Sequence, residues 1–168
     1  MTTFSQMFGA HHREMVQHLG WFVLVWSHIE ATLEYIIYKQ TKLDPLDSSI
    51  ITSGLATKAR LSIALALLHR EKKPNAELVA ALKKLQNYPT RNALMHGIIT
   101  FSKDKLYFDY RRPTDKFTVT RRIFTAPELL ALVKELGDLG VAIQTHAGMS
   151  EPDVNDFLHT SYSRRHNV

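Results

Sequence analysis

The sequence predicts a mainly α-helical fold with a small antiparallel β-ribbon inserted before the last long helix. Three observations carry that expectation. Apolar residues recur at steps of three and four along several separate stretches, the signature of amphipathic helices. The period shortens to two only between Ile98 and Phe124. Seven Gly and six Pro stand among 168 residues, and most of them fall at the seams between those stretches.

The first helical stretch runs from about Phe8 to Gln40, with Leu19, Phe22, Trp26, Ile29, Leu33 and Ile36/Ile37 on one face. Gly20 is tolerated inside it at some cost in propensity. Pro45 ends it, because the residue before a proline is steered away from helical angles. A second helical region spans about Leu46 to Lys72, and Gly54 divides it into a short and a main helix. The main one carries Ile63, Ala64, Leu65, Leu67 and Leu68 and reads as apolar nearly all round, hence central and buried. Asn75 is a suitable N-cap for a third helix with Leu78, Val79, Leu82 and Leu85 on its stripe. Pro89 breaks that helix, which is expected to resume from Thr90 to His96 and to stop at Gly97.

Beyond Gly97 the alternation sets Leu106, Phe108 and Tyr110 on one face and Tyr107, Asp109 and Arg111 on the other. Phe117, Val119 and Ile123 alternate with Thr118, Thr120 and Arg122. Ser102-Lys103-Asp104 and Pro113-Thr114-Asp115 are turn signals, so two or three short antiparallel strands are expected. Thr125-Ala126-Pro127-Glu128 has the form of a capping box, with Pro in the first turn. Leu129, Leu132, Val133, Leu136, Leu139 and Ile143 then line the last long helix, which ends near Gly148. Ser150-Glu151-Pro152-Asp153 caps one more short helix before a frayed tail. No repeat or linker interrupts the chain. The expectation is one domain over 1–168, with a core at about 8–148 and a short helix and tail at 150–168.

Composition narrows the function. The chain is 45% hydrophobic and 22% charged, ordinary for a globular domain. It has no cysteine, which excludes thiol nucleophiles, disulfides and zinc–thiolate sites. The opening MTTFSQMFGAHHREM lacks a basic start followed by an apolar run, so it does not read as a signal peptide. The longest apolar run, Trp21 to Trp26, is far too short to span a bilayer. A cytoplasmic protein without membrane association is expected. The net charge of +5 and pI of about 9.5 favour an anionic partner such as nucleic acid.

One constellation carries chemistry: Arg91-Asn92-Ala93-Leu94-Met95-His96. Composition alone would supply about 0.5 Arg-x4-His pairs by chance, and requiring Asn after the Arg lowers this to roughly 0.02. On a helix, Asn92 and His96 share a face one turn apart, with Arg91 flanking it. The carbonyl end of the helix favours an imidazolium at His96. RNA cleavage by internal attack needs a base for the 2′-hydroxyl, a donor for the phosphorane charge and an acid for the leaving 5′-oxygen. Histidine serves as base or acid near neutral pH, and arginine offers a planar fork to phosphate. Asparagine can orient the imidazole or the ribose. No metal and no cofactor is called for. One chain offers one such His, so an acid–base pair is easiest to build from two chains across a two-fold axis. The same spacing also suits a structural Arg–His pair at a helix end.

These residues resemble the motif of the HEPN superfamily (higher eukaryotes and prokaryotes nucleotide-binding), an Arg followed after four to six residues by His, commonly with a polar residue after the Arg. Trp26-Ser27-His28-Ile29-Glu30-Ala31-Thr32-Leu33-Glu34 is similar to the family's opening helix. Ser53-Gly54-Leu55-Ala56-Thr57-Lys58-Ala59-Arg60 is similar to the start of its second long helix. The resemblance covers about residues 15 to 145, and only the Arg-Asn…His element in it is specific. It implies an up-and-down helical bundle, a homodimer, and a cleft where two motifs meet. It also implies either a metal-independent endoribonuclease, in toxin–antitoxin, defence or RNA-processing settings, or a non-catalytic module that binds RNA, nucleotide or protein. Arg91, Asn92 and His96 carry over as catalytic residues, with Glu30 in support. An antitoxin protein is an expected partner in the toxin branch. In toxin members paired with a nucleotidyltransferase, a Tyr follows the His by two residues; Ile98 stands there.

The ribbon adds RNA-binding candidates: Lys103, Lys105, Arg111, Arg112, Arg121 and Arg122. With Lys116 they make seven basic residues against Asp104, Asp109 and Asp115, a net of +4. Tyr107, Phe108 and Tyr110 lie among them, and basic residues interleaved with aromatics can follow a backbone and stack bases. A solvated sheet face with core aromatics would give the same pattern. His11, His12 and His18 do not have metal-ligand spacing. Trp21 and Trp26 suit a core or a dimer interface.

Overall fold

The computed structural model describes residues 10–88, 94, 97–112 and 118–163. Among them are six helices and three strands in the order α1 (Ala10–Thr41), α2 (Pro45–Ser53), α3 (Thr57–Leu68), α4 (Ala76–Gln86), β1 (Ile98–Ser102), β2 (Lys105–Arg112), β3 (Thr118–Phe124), α5 (Ala126–His146) and α6 (Glu151–Ser163). The chain is mainly helical with a small antiparallel sheet ahead of the last long helix, as its periodicities predict. It gathers into two compact units: residues 1–25 with 88–137, and residues 26–87 with 138–168. Both α1 and α5 contribute to each.

The first unit holds the sheet. Its strands form an antiparallel meander, β1-β2-β3, with Phe101 opposite Leu106 and Leu106 opposite Phe124. Leu106, Phe108 and Tyr110 share one face, as the alternation predicts, and that face is the buried one; Phe108 meets Phe124 edge-on at 5.7 Å. Met15, Phe22, Leu129, Val133 and Leu136 are buried here too. Val119 and Ile123 share the face of Tyr107 and are exposed, whereas Phe124 takes the parity of the core. Alternation separates two faces but does not say which one turns inward. Tyr88 donates from its hydroxyl to the Leu132 carbonyl at 3.3 Å. Burial, with Glu135 nearby, pushes its pKa up to about 12, so it stays a neutral donor at any working pH.

The second unit is all helical. Trp26, Ile29, Leu33, Ile36 and Ile37 of α1, Leu61, Ala64, Leu65 and Leu68 of α3, and Leu78, Leu82 and Leu85 of α4 are buried. α3 packs on α4, and α2 on α6. α3 is one-sided rather than apolar all round: Ser62 and Ala66 are exposed, while Arg60 is buried. Gly140 of α5 lets that helix approach α1 closely, since a Cβ there would lie 3.2 Å from Ile29 Cγ1. Gln144 donates to Thr32 Oγ1 at 3.4 Å across the same pair of helices.

Helix ends follow local chemistry. Pro45 not only stops α1 but opens α2 at N1, with Asp44 Oδ1 accepting from the Leu46 amide as N-cap. Asn75 Oδ1 accepts from the amides of Glu77 and Leu78. Glu128 Oε2 accepts from the Thr125 amide and hydroxyl, closing the capping box. Those bonds hold its carboxyl below the usual range. Asp153 closes the same kind of loop on Ser150 ahead of α6. At the other end of α5, the Gly148 amide bonds to Thr145 O and the Met149 amide to Gln144 O, a Schellman pair, with Gly148 at φ +65°. Gly148→Ala is therefore expected to cost roughly 1–2 kcal/mol of stability in urea unfolding, the penalty of a Cβ in left-handed backbone. An unchanged midpoint would mean that the helix end relaxes without strain.

Candidate functional site

Arg91, Asn92 and His96 lie outside the described residues. Leu94, inside the same motif, is described: it is helical and only 4% exposed. Gly97 follows in a bend, and β1 begins at Ile98. The chain thus passes from a buried residue of the motif into the sheet within a few positions.

Glu30 is described in full, on α1 in the second unit. It accepts from Trp26 Nε1 at 3.0 Å and from Thr57 Oγ1, and its other oxygen lies 3.8 Å from Arg60. Arg60 also pairs with Glu34 at 3.1 Å. It donates to the carbonyls of Thr52 at 3.0 Å and Ser53 at 3.4 Å. The guanidinium is thereby held between two carboxylates one helical turn apart and the end of α2. Sequence reasoning missed Arg60, Glu34 and Thr57. Two signals pointed to them: the i,i+4 pair Glu30/Glu34 beside an apolar stripe, and a lone Arg on the inward side of an otherwise apolar helix.

The ribbon candidates separate. Lys103 occupies the hairpin turn between β1 and β2 at φ +52°, and its carbonyl accepts from His12 Nε2 at 3.0 Å. Lys105 opens β2, is exposed, and its charge adds to the lowering of the Glu128 carboxyl. Arg121 makes a bidentate pair with Asp109, Nε to Oδ1 at 2.7 Å and the second nitrogen to Oδ2 at 2.8 Å. Hydrogen bonding holds the Asp109 carboxyl below its usual range and the guanidinium above it, so both stay charged. The Arg121 guanidinium carbon also lies 5.5 Å from the centre of the Tyr107 ring. Arg122 is exposed opposite Phe108 on the edge strand. Arg111 and Arg112 pair with Val119 and Thr118 in the register; their side chains lie outside the described set. The structure therefore brings Lys105, Tyr107, Asp109 and Arg121 together on one face, and it sets Lys103 at the turn.

His12 rests on Phe101, ring centres 5.0 Å apart. His18 is buried between Trp21 at 5.3 Å and Glu14 at 3.6 Å. Trp26 belongs to the core, whereas Trp21 is half-exposed. Among the described residues, no three His, Asp or Glu side chains gather as a metal ion would require. No helix among them is long and apolar enough to cross a membrane. Comparison with protein-family models, with curated proteins and with solved structures finds no match.

Proposed function

We propose that this chain is a metal-independent endoribonuclease of HEPN type, acting as a homodimer. The observation that carries the reading is the Arg91-Asn92-x3-His96 motif, which leads directly into a ribbon holding +4 of the chain's +5 net charge. The mainly helical architecture and the buried, helical Leu94 inside the motif are in keeping with it.

The reaction needs no group that the chain lacks. One His96 takes the proton of the 2′-hydroxyl, whose oxygen attacks the adjacent phosphorus. The Arg91 side chains hold the charge that develops on the phosphorane oxygens. The second subunit's copy of the same histidine protonates the departing 5′-oxygen, leaving a 2′,3′-cyclic phosphate. Asn92 orients the imidazole or the ribose. A two-fold dimer needs apolar surface to bury. α1 leaves Val16, Trp21, Val23 and Leu24 exposed, and a second copy is the occupant assigned to that face. A cytoplasmic setting and an antitoxin partner belong to the same reading.

The purified protein is expected to cleave RNA in excess EDTA and to leave cyclic-phosphate ends, read by gel mobility before and after acid treatment. Loss of activity on chelation would rule the mechanism out. A non-catalytic HEPN dimer that binds RNA through the ribbon is the second reading, favoured by the exposed Lys103 and Lys105. It predicts salt-dependent binding without turnover.

A further inference from the structure

We propose that the solvent face of the β-sheet is a docking platform for single-stranded RNA, on which Tyr107 stacks a base. This inference rests on RNA being the partner, but not on its being cut.

The register defines the face. Thr100, Tyr107 and Ile123 form one row across the three strands, and Ile98, Asp109 and Arg121 form the next. Lys105 and Val119 extend it along β2 and β3. Ile98, Val119 and Ile123 are 62%, 57% and 48% exposed, a concentration of aliphatic surface on the side of the sheet opposite Leu106 and Phe108. Tyr107 is the aromatic of the central strand on this side; Phe108 and Tyr110 are buried. Arg121, fixed at two atoms by Asp109, lies over the Tyr107 ring. A phenol ring and a pinned guanidinium in cation–π contact thus stand on this face, bordered by branched aliphatics.

Nucleobases present apolar π-faces on a polyanionic backbone, and both halves of that chemistry are met here. Bases stack on an aromatic ring and on a guanidinium plane. Lys105 and Lys103 stand within the same strand and turn to meet phosphates. A duplex hides its base faces in the stack, so the platform favours single strands. Charge also decides against a second copy of the chain as occupant. On this face Lys105 and Arg121 outnumber Asp109 by one, so two copies meeting here would set like charges against each other.

The test is fluorescence anisotropy with a labelled oligoribonucleotide of about a dozen nucleotides, single-stranded or annealed to its complement. His96→Ala protein in EDTA serves as the parent, so that the probe survives. Tyr107→Ala is expected to weaken single-strand binding by about 10-fold to 100-fold, the loss of one stacked base. Tyr107→Phe is expected to keep it. Ile123→Ser, from the same row of the sheet, should weaken it several-fold, and circular dichroism checks that each variant is folded. Binding by a folded Tyr107→Ala that equals the parent's would overturn the platform. So would duplex bound as tightly as single strand, or a Tyr107→Ala whose sedimentation shows a lost dimer at unchanged RNA affinity. Normal cleavage by His96→Ala would sink the nuclease reading and leave this one standing.

Discussion

His96→Ala is expected to lower the rate of RNA cleavage by a factor on the order of 10²–10⁴ while leaving the thermal transition near that of the parent. Proton transfer by a positioned imidazole is worth that much, and in the proposed mechanism both transfers run through the same residue in two copies. The pH profile of the parent should be bell-shaped, since one copy must be neutral and the other protonated at once. Arg91→Ala should fall by a comparable factor for a different reason. It removes charge stabilisation of the phosphorane, so its loss of rate should vary little with pH. Mixing the two inactive variants adds a second check. If the site is built from two subunits, heterodimers should differ in activity from either homodimer; if each chain works alone, the mixture should give only the average. A His96→Ala enzyme that cuts at the parental rate, or a protein that stays monomeric at active concentrations, would remove the mechanism.

What the sequence made legible was local chemistry. Asn75, the Thr125/Glu128 pair, the Ser150/Asp153 pair and Gly148 announce helix ends because a cap needs only neighbours within a turn. The strands could be found because the period of the pattern changes at Gly97. The inward face of β2 was readable from Leu106, Phe108 and Tyr110. The face of β3 was not, because Val119 and Ile123 suggest a core side that the pairing with β2 turns toward solvent. Register is set by partners, and no single strand carries that information. The Arg60 cluster was hidden for the same reason. Its carboxylates sit on α1 and its guanidinium on α3, so only the tertiary fold introduces them. Within the candidate site the sequence proposes residue types, because general acid–base chemistry demands a short list of side chains, while Arg91, Asn92 and His96 lie outside the described residues. The Arg121–Tyr107 platform was only half legible: the aromatics and bases were evident, but not which aromatic faces out.

The cluster around Arg60 should give the largest single effect on stability. Arg60→Met is expected to destabilise the fold by about 3 kcal/mol, the lower end of the range for removing one partner of a buried ion pair. The side chain of Met fills much of the same volume, so the loss is electrostatic rather than a cavity. Glu30 and Glu34 would be left facing one another one turn apart on α1 with their common counter-ion gone. The Thr52 and Ser53 carbonyls would each lose a donor, and Thr52 is fully buried. The figure sits at the lower end because the two carboxylates are not sealed, with side chains 28% and 16% exposed, and water can reach them. The pairing itself can be separated from the packing by a second substitution. Glu34→Gln alone should cost stability, because Arg60 then keeps one carboxylate. In the Arg60→Met background it should recover part of the loss, because it removes one of two stranded charges. Urea unfolding of the four proteins supplies the cycle. Additive losses would mean that Glu34 and Arg60 do not interact, and the cluster would then be a set of solvated neighbours rather than the element tying α1 to the end of α2 and the start of α3.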